Sequence, residues 1–136
     1  RDTSVTGVQT CALPIYNGKD LIFDVDWQGG KQIRSSSLSK YVISIFILPP
    51  SIKALQERLM KRAQDSSETV KDRMTKSIGE IMHWKEYDYV IVNNNFEQTL
   101  HEVKSIITSE KLRRVRNSQL EDFVETLTYE FKELKS

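Results

Sequence analysis

Two spacings of apolar residues divide the chain. Leu21-Ile22-Phe23 is a short apolar run after the turn signal Asn17-Gly18, and it leads into Asp24-Val25-Asp26. This predicts a short buried strand with a polar end. Tyr41–Leu48 is rich in β-branched and aromatic residues and almost continuously apolar, the pattern of a central strand covered on both faces. Tyr87–Val92 predicts a third strand, closed by Asn93-Asn94-Asn95. Elsewhere the period is helical. Pro49-Pro50 stops the second strand, because proline has no N–H to give to a ladder, and Ser51 stands where a helix N-cap belongs. Ile52, Leu55, Leu59 and Met60 form one apolar stripe; after the polar break Gln64–Ser67, Val70, Met74, Ile78, Ile81 and Met82 form a second. Phe96, Leu100, Val103 and Ile107 predict another helix, and Leu120, Phe123, Leu127, Phe131 and Leu134 a last one. Gly29-Gly30 follow the acids, and Lys31–Ser37 then reads as a short helix or loop. Strand, strand, helix, helix, strand, helix, helix predicts an α/β architecture with a parallel sheet. Three strands are few for a doubly wound sheet, so further strands are expected on the N-terminal side.

Residues Arg1–Tyr16 fit neither period. Pro14 and three threonines break a helical reading, and no basic stretch leads into a sustained apolar one, as a secretory signal requires. The chain begins with Arg and not Met. Residues 1–16 are expected to be a leader foreign to the fold, and residues 17–136 to carry it. Composition narrows the function. Twenty Lys and Arg balance 19 Asp and Glu, a net charge of +1, which argues against a general electrostatic nucleic-acid binder. No apolar run approaches the ~18 residues of a membrane span. Cys11 alone makes neither an internal disulfide nor a cysteine-based zinc site; a cytoplasmic location is expected.

Three groups of residues carry candidate chemistry. Asp24 and Asp26 lie two apart, on one face of a strand, near the strand end where α/β sheets bind ligands. One carboxylate suffices for a water ligand of Mg²⁺, and the other can accept a pattern of ligand N–H groups. The alternative is that both acids cap the turn around Gln28-Gly29. Arg58 and Arg62 share one side of a helix, and Arg73 lies on the next. If those helices fold back on one another, the guanidiniums suit phosphate oxygens; otherwise they are a solvated face. The basic run Lys111–Arg116 follows Glu110 and ends a helix, where cations complement the dipole, so it reads as structural. His83 and His101 lack partners at metal-ligand spacing, and Trp27 and Trp84 read as packing residues.

Taken together, these residues resemble the guanylate kinase family, most closely its bacterial members. Asp24-Val25-Asp26-Trp27-Gln28-Gly29 is similar to the family's D-I/V-D-W-Q-G strand end, and Ile45–Ser51 to its strand–PPS–helix junction. Arg58-Leu59, Arg62 and Arg73-Met74 resemble the lid arginines, and Glu86–Asn93 resembles E-Y-D-Y-x-I-V-N-D-D. The resemblance implies a P-loop nucleoside monophosphate kinase fold, with a helical lid at about residues 58–82. It implies Mg²⁺-dependent phosphoryl transfer from ATP to GMP, giving ADP and GDP, with no nucleic-acid or membrane partner. It also implies roles. Asp26 meets the guanine edge, and Asp24 lies near Mg²⁺ and the phosphates. Arg62 and Arg73 close over the phosphates, Arg58 assists from the lid base, and Asn93 lies beside the adenine. Ala63 replaces a usual glycine, and Asn94-Asn95 replace two aspartates. The family's G-x-x-G-x-G-K-S/T phosphate loop and its monophosphate-binding segment are not in these 136 residues. Without that loop's N–H groups and lysine the chain as written is expected to turn over negligibly, and its uncovered sheet edge to make it poorly soluble. The rival expectation is a non-catalytic guanylate-kinase-like module that binds phosphorylated peptides.

Overall fold

The computed structural model describes residues 20–62 and 67–136. The leader, the Asn17-Gly18 turn, Ala63 and most of the Gln64–Ser67 break lie outside the described residues. In chain order the elements are helix α1 (Trp27–Arg34), strand β1 (Ile45–Leu48), helices α2 (Ile52–Arg62) and α3 (Ser67–Ile81), strand β2 (Tyr89–Val92), and helices α4 (Phe96–Lys111) and α5 (Leu120–Lys135). Short 3-10 turns occupy Ser39–Tyr41, Trp84–Glu86 and Arg114–Arg116. The chain divides into two compact units, one ending at Asn94 and the other spanning Asn95–Ser136.

β1 and β2 pair in parallel, Ile45 opposite Tyr89 through Leu48 opposite Val92. A polar lock sets this register. The Asp88 carboxylate accepts the Ser44 N–H at 2.8 Å and its hydroxyl at 3.1 Å, while the Ser44 Oγ accepts the Asp88 N–H at 2.9 Å. A one-residue slip would break all of these bonds and turn every side chain over. At the other end the Asn93 N–H donates to the Leu48 carbonyl at 2.9 Å. Because the strands are parallel, the Pro49-Pro50-Ser51 and Asn93-Asn94 connections leave from the same carboxyl end of the sheet.

Two strand expectations are corrected. Leu21–Phe23 and the acids after it form no strand: residues 20–26 are irregular. A strand exists only through its ladder, and this run has no hydrogen-bonded neighbour among the described residues. Its side chains are used all the same, since Phe23 and Val25, with Val42, pack on the buried pair Ile33 and Leu38. The second strand is also shorter than Tyr41–Leu48, because Tyr41 turns in a 3-10 helix and Ser44 is engaged by Asp88. Nor is β1 covered on both faces. In a sheet of two strands Ile47 stays 43% exposed, and Val90 and Val92 of β2 are exposed as well.

α2 and α3 pack on each other. Ser51 starts α2 as expected, its Oγ accepting the Ala54 N–H at 3.0 Å. Among the described residues Leu55 and Val70 are the buried side chains of the pair, whereas Ile52 and Met60 are exposed. Gly79 weakens α3 with nothing in return: a Cβ built there meets no atom within 4 Å. Gly79→Ala is therefore expected to stabilise the chain by about 0.8–1 kcal/mol, read as a higher midpoint in a thermal or denaturant melt.

In the second unit the Asn95 side chain caps α4, accepting the Gln98 N–H at 3.1 Å. The buried Glu110 pairs with Arg116 at 3.2 Å and Arg113 at 3.6 Å, so the basic run serves structure, as its sequence context implied. α5 leaves Phe123, Leu127, Phe131 and Leu134 exposed. No helix among the described residues is long and apolar enough to cross a membrane.

Candidate active site

The two acids of Asp24-Val25-Asp26 are placed differently. Asp26 is the N-cap of α1: its Oδ1 accepts the Gly29 N–H at 2.8 Å and its carbonyl accepts the Gly30 N–H at 2.9 Å. The capping alternative thus holds for Asp26. One oxygen serves the helix, and Oδ2 takes no hydrogen bond among the described residues. Asp24 is exposed and unpaired there. α1 has no acid in its first turn. Its negative charge comes from Asp26 and, across the fold, from Glu80, whose Oε1 accepts the Trp27 N–H at 3.3 Å. Both complement the positive end of the helix dipole.

Trp27 then enters a cluster that sequence reasoning did not anticipate. Its indole lies flat on the His83 ring, centroids 3.7 Å apart and planes 15° from parallel. Its Nε1–H donates to Glu86 Oε1 at 3.1 Å. The other Glu86 oxygen bonds His83 Nδ1, and Arg34 Nη2 lies 4.0 Å from Oε1. The Arg34 guanidinium stands over the Tyr87 ring, which stacks on Phe46 of β1 at 4.7 Å. Arg34 Nη1 is buried without a hydrogen bond among the described residues. Trp27 packs as expected; Trp84 does not, being 45% exposed. The bonds join residues 53 and 59 positions apart, and the one local sign of them is the i,i+3 pair His83 and Glu86.

The hydrogen bond with His83, then that from the Trp27 indole, holds the Glu86 carboxyl below its ordinary 4.5. A depressed carboxyl contributes stability above its unfolded value and loses it as pH falls through the folded one. The stability advantage of the parent chain over Glu86→Gln is therefore expected to shrink as the pH is taken below 4.5, in paired melting curves. Burial raises the Tyr87 hydroxyl above 10.0, against the pull of Arg34.

Arg58 and Arg62 line a cleft of about 400 Å³ along α2, with Ala54, Glu57 and Lys61. Arg73 is exposed on α3. None of the three is paired with an acid among the described residues. The structure places them on two packed helices and gives no contact between Arg62 and Arg73. Asn93 is half-buried where β2 ends. Among the described residues no three His, Cys, Asp or Glu gather as a metal cage. A nucleotide-borne Mg²⁺ that keeps its waters needs no such cage, and an exposed single carboxylate such as Asp24 is chemically compatible with one.

Comparison with known proteins decides the family. The guanylate kinase profile matches residues 3–110. The chain belongs to the guanylate kinase family. Guanylate kinase of Cereibacter sphaeroides is 53% identical over 117 residues, covering 86% of this chain and 56% of the relative. Guanylate kinase of Ruegeria pomeroyi is 50% identical over 120 residues, covering 88% and 56%. The chain thus spans little more than half the length of these relatives. The crystal structure of guanylate kinase from Anaplasma phagocytophilum superposes with a TM-score of 0.61 at 31% identity, covering 75% of this chain and 47% of that one. The α/β nucleoside monophosphate kinase fold expected from the sequence is therefore the fold of this chain over the part it spans.

Proposed function

We propose that these residues are the guanine-recognition and lid portion of a guanylate kinase, which transfers the γ-phosphoryl group of ATP to GMP. The observation that carries this reading is the placement of Arg58, Arg62 and Arg73 in a chain of this family: three guanidiniums on a packed helix pair, unpaired by any acid among the described residues. A GMP phosphate oxygen attacks the γ-phosphorus, the bond to the β–γ bridging oxygen breaks, ADP leaves and GDP forms. The nucleophile is already anionic, so the reaction needs positioning and charge stabilisation and no protein base. Arg62 and Arg73 stabilise the migrating group as the helix pair, a lid over about residues 58–82, closes and excludes water. Arg58 supports them from the lid base. Asp26 accepts the guanine N–H donors with the oxygen that capping leaves over, and Asn93 borders the adenine. Asp24 is the carboxylate that would hold the water shell of a nucleotide-bound Mg²⁺, which supplies neutralisation of phosphate charge when bound. With ATP and GMP as substrates the reading places the protein in the cytoplasm.

The 136 residues contain neither the phosphate-loop motif nor the family's monophosphate-binding segment, so alone they are proposed not to turn GMP over. A chimera separates the two statements. In it the upstream portion of the Cereibacter sphaeroides guanylate kinase precedes residues 17–136. With ATP, GMP and Mg²⁺ it is expected to form ADP in a GMP-dependent way, and the chain alone is not. A chimera that melts cooperatively yet forms no ADP would defeat the reading.

A further inference from the structure

The residue beside Asp26 is gripped on three sides from one short stretch. Glu80 takes the Trp27 backbone N–H, Glu86 takes its indole N–H, and the His83 ring covers its face. The peptide bond between Asp26 and Trp27 is planar, so holding the Trp27 N–H fixes the plane that carries the Asp26 carbonyl. That carbonyl and the Asp26 carboxylate in turn hold the N–H groups of Gly30 and Gly29. Glu86 touches none of the residues assigned to substrate, and its two oxygens are spent on Trp27, His83 and Arg34.

We propose that Glu86 is a positioning residue for Asp26, acting through Trp27, so that the C-terminal root of α3 and the guanine-facing carboxylate move as one body. The proposal rests on the reading of Asp26 given above and adds to it a link between base recognition and the lid. α3 carries Arg73 and ends one residue after Glu80. A position of α3 that suits Trp27 is thereby a position that suits Asp26, and guanine seated on Asp26 favours that position of the lid helix.

The amide of Gly29 reports on Asp26 directly, because Asp26 Oδ1 is its acceptor. Hydrogen exchange followed by NMR on the 136-residue chain is expected to show Gly29 exchanging about fivefold faster in Glu86→Ala, the size of one hydrogen bond. Glu86→Gln, whose amide oxygen still accepts the indole N–H, restores most of the protection. The Ala54 amide, capped by Ser51 on α2, is unchanged in both. Unaltered exchange at Gly29 overturns the proposal, and so does equal acceleration at Gly29 and Ala54, which marks a loss of general stability. A second arm uses GMP alone as the probe. Glu86→Ala is expected to weaken GMP binding in the chimera and to add nothing on an Asp26→Asn background; losses that add overturn the link to base recognition. If Gly29 responds but Asp26→Asn leaves GMP binding to the chimera unchanged, the grip stands and the guanine reading of Asp26 fails.

Discussion

In the chimera that joins the upstream portion of the Cereibacter sphaeroides guanylate kinase to residues 17–136, Asp26→Asn is expected to leave the fold almost untouched while weakening GMP binding by about 10- to 100-fold. The two halves of that result have separate causes. Asp26 caps α1 through Oδ1 at 2.8 Å from the Gly29 nitrogen, and asparagine caps as well as aspartate does. What the substitution gives up is charge at the helix N-terminus, less than about 1 kcal/mol. The ligand side is less forgiving. The guanine edge offers two N–H donors, which a carboxylate meets with two acceptors. An asparagine whose oxygen is kept by Gly29 turns its NH₂ donors toward them. Asp26→Ala should lose both functions, lowering stability by about 1 kcal/mol as well. Thermal melts and GMP titrations of the three chains read the two roles independently. Undiminished GMP binding in Asp26→Asn would end the assignment of this residue to guanine, whatever it does for α1.

The other large effect belongs to the arginines. In the chimera, Arg62→Ala and Arg73→Ala are each expected to lower kcat by about 10²- to 10³-fold, the usual loss when one preorganised charge-stabilising donor is removed. KM for GMP should change far less, because these groups are assigned to the migrating phosphoryl group and not to the base. Lysine at either position should recover only part of the rate: it keeps the charge but not the planar fork that meets two phosphate oxygens. Arg58 shares its cleft with Glu57 and is assigned above to the base of the proposed lid, so its loss should cost less than either. Steady-state kinetics of the variants settle the matter. Losses below tenfold for both Arg62 and Arg73 would mean that the cleft on α2 is a solvated face.

Much of this could be read before any coordinates. The proline pair, Ser51 and the 3.6-residue stripe announced α2 down to its cap, because capping and periodicity are local. The same is true of the stripe through Val70 and Met74, and of the parallel order that follows from two strands separated by a helix pair. The resemblance to guanylate kinase was legible because four short motifs stand in order, and the family profile bears it out over residues 3–110. The residues that most clearly misled were Leu21–Phe23. Their apolar character was read correctly, since Phe23 packs on the core, but apolar character does not supply a neighbouring strand. Tyr41 and Val42 misled for the same reason, in that β propensity describes a fit to a pleated surface that has to exist already.

The sequence by itself determined the family, the helices from α2 onward with the Ser51 cap, the cores of the two paired strands and the candidate chemistry of Asp24, Asp26, Asn93 and the three arginines. All of these are written in residues close together along the chain. Only the tertiary structure decided that Asp26 spends one oxygen on α1, that Ser44 and Asp88 lock the strand register, and that Glu80, His83 and Glu86 close around Trp27. The strand lock and the closure around Trp27 join positions 44 to 59 residues apart. No spacing rule reaches that far, because a side chain's partner across a fold is fixed by how the intervening elements pack.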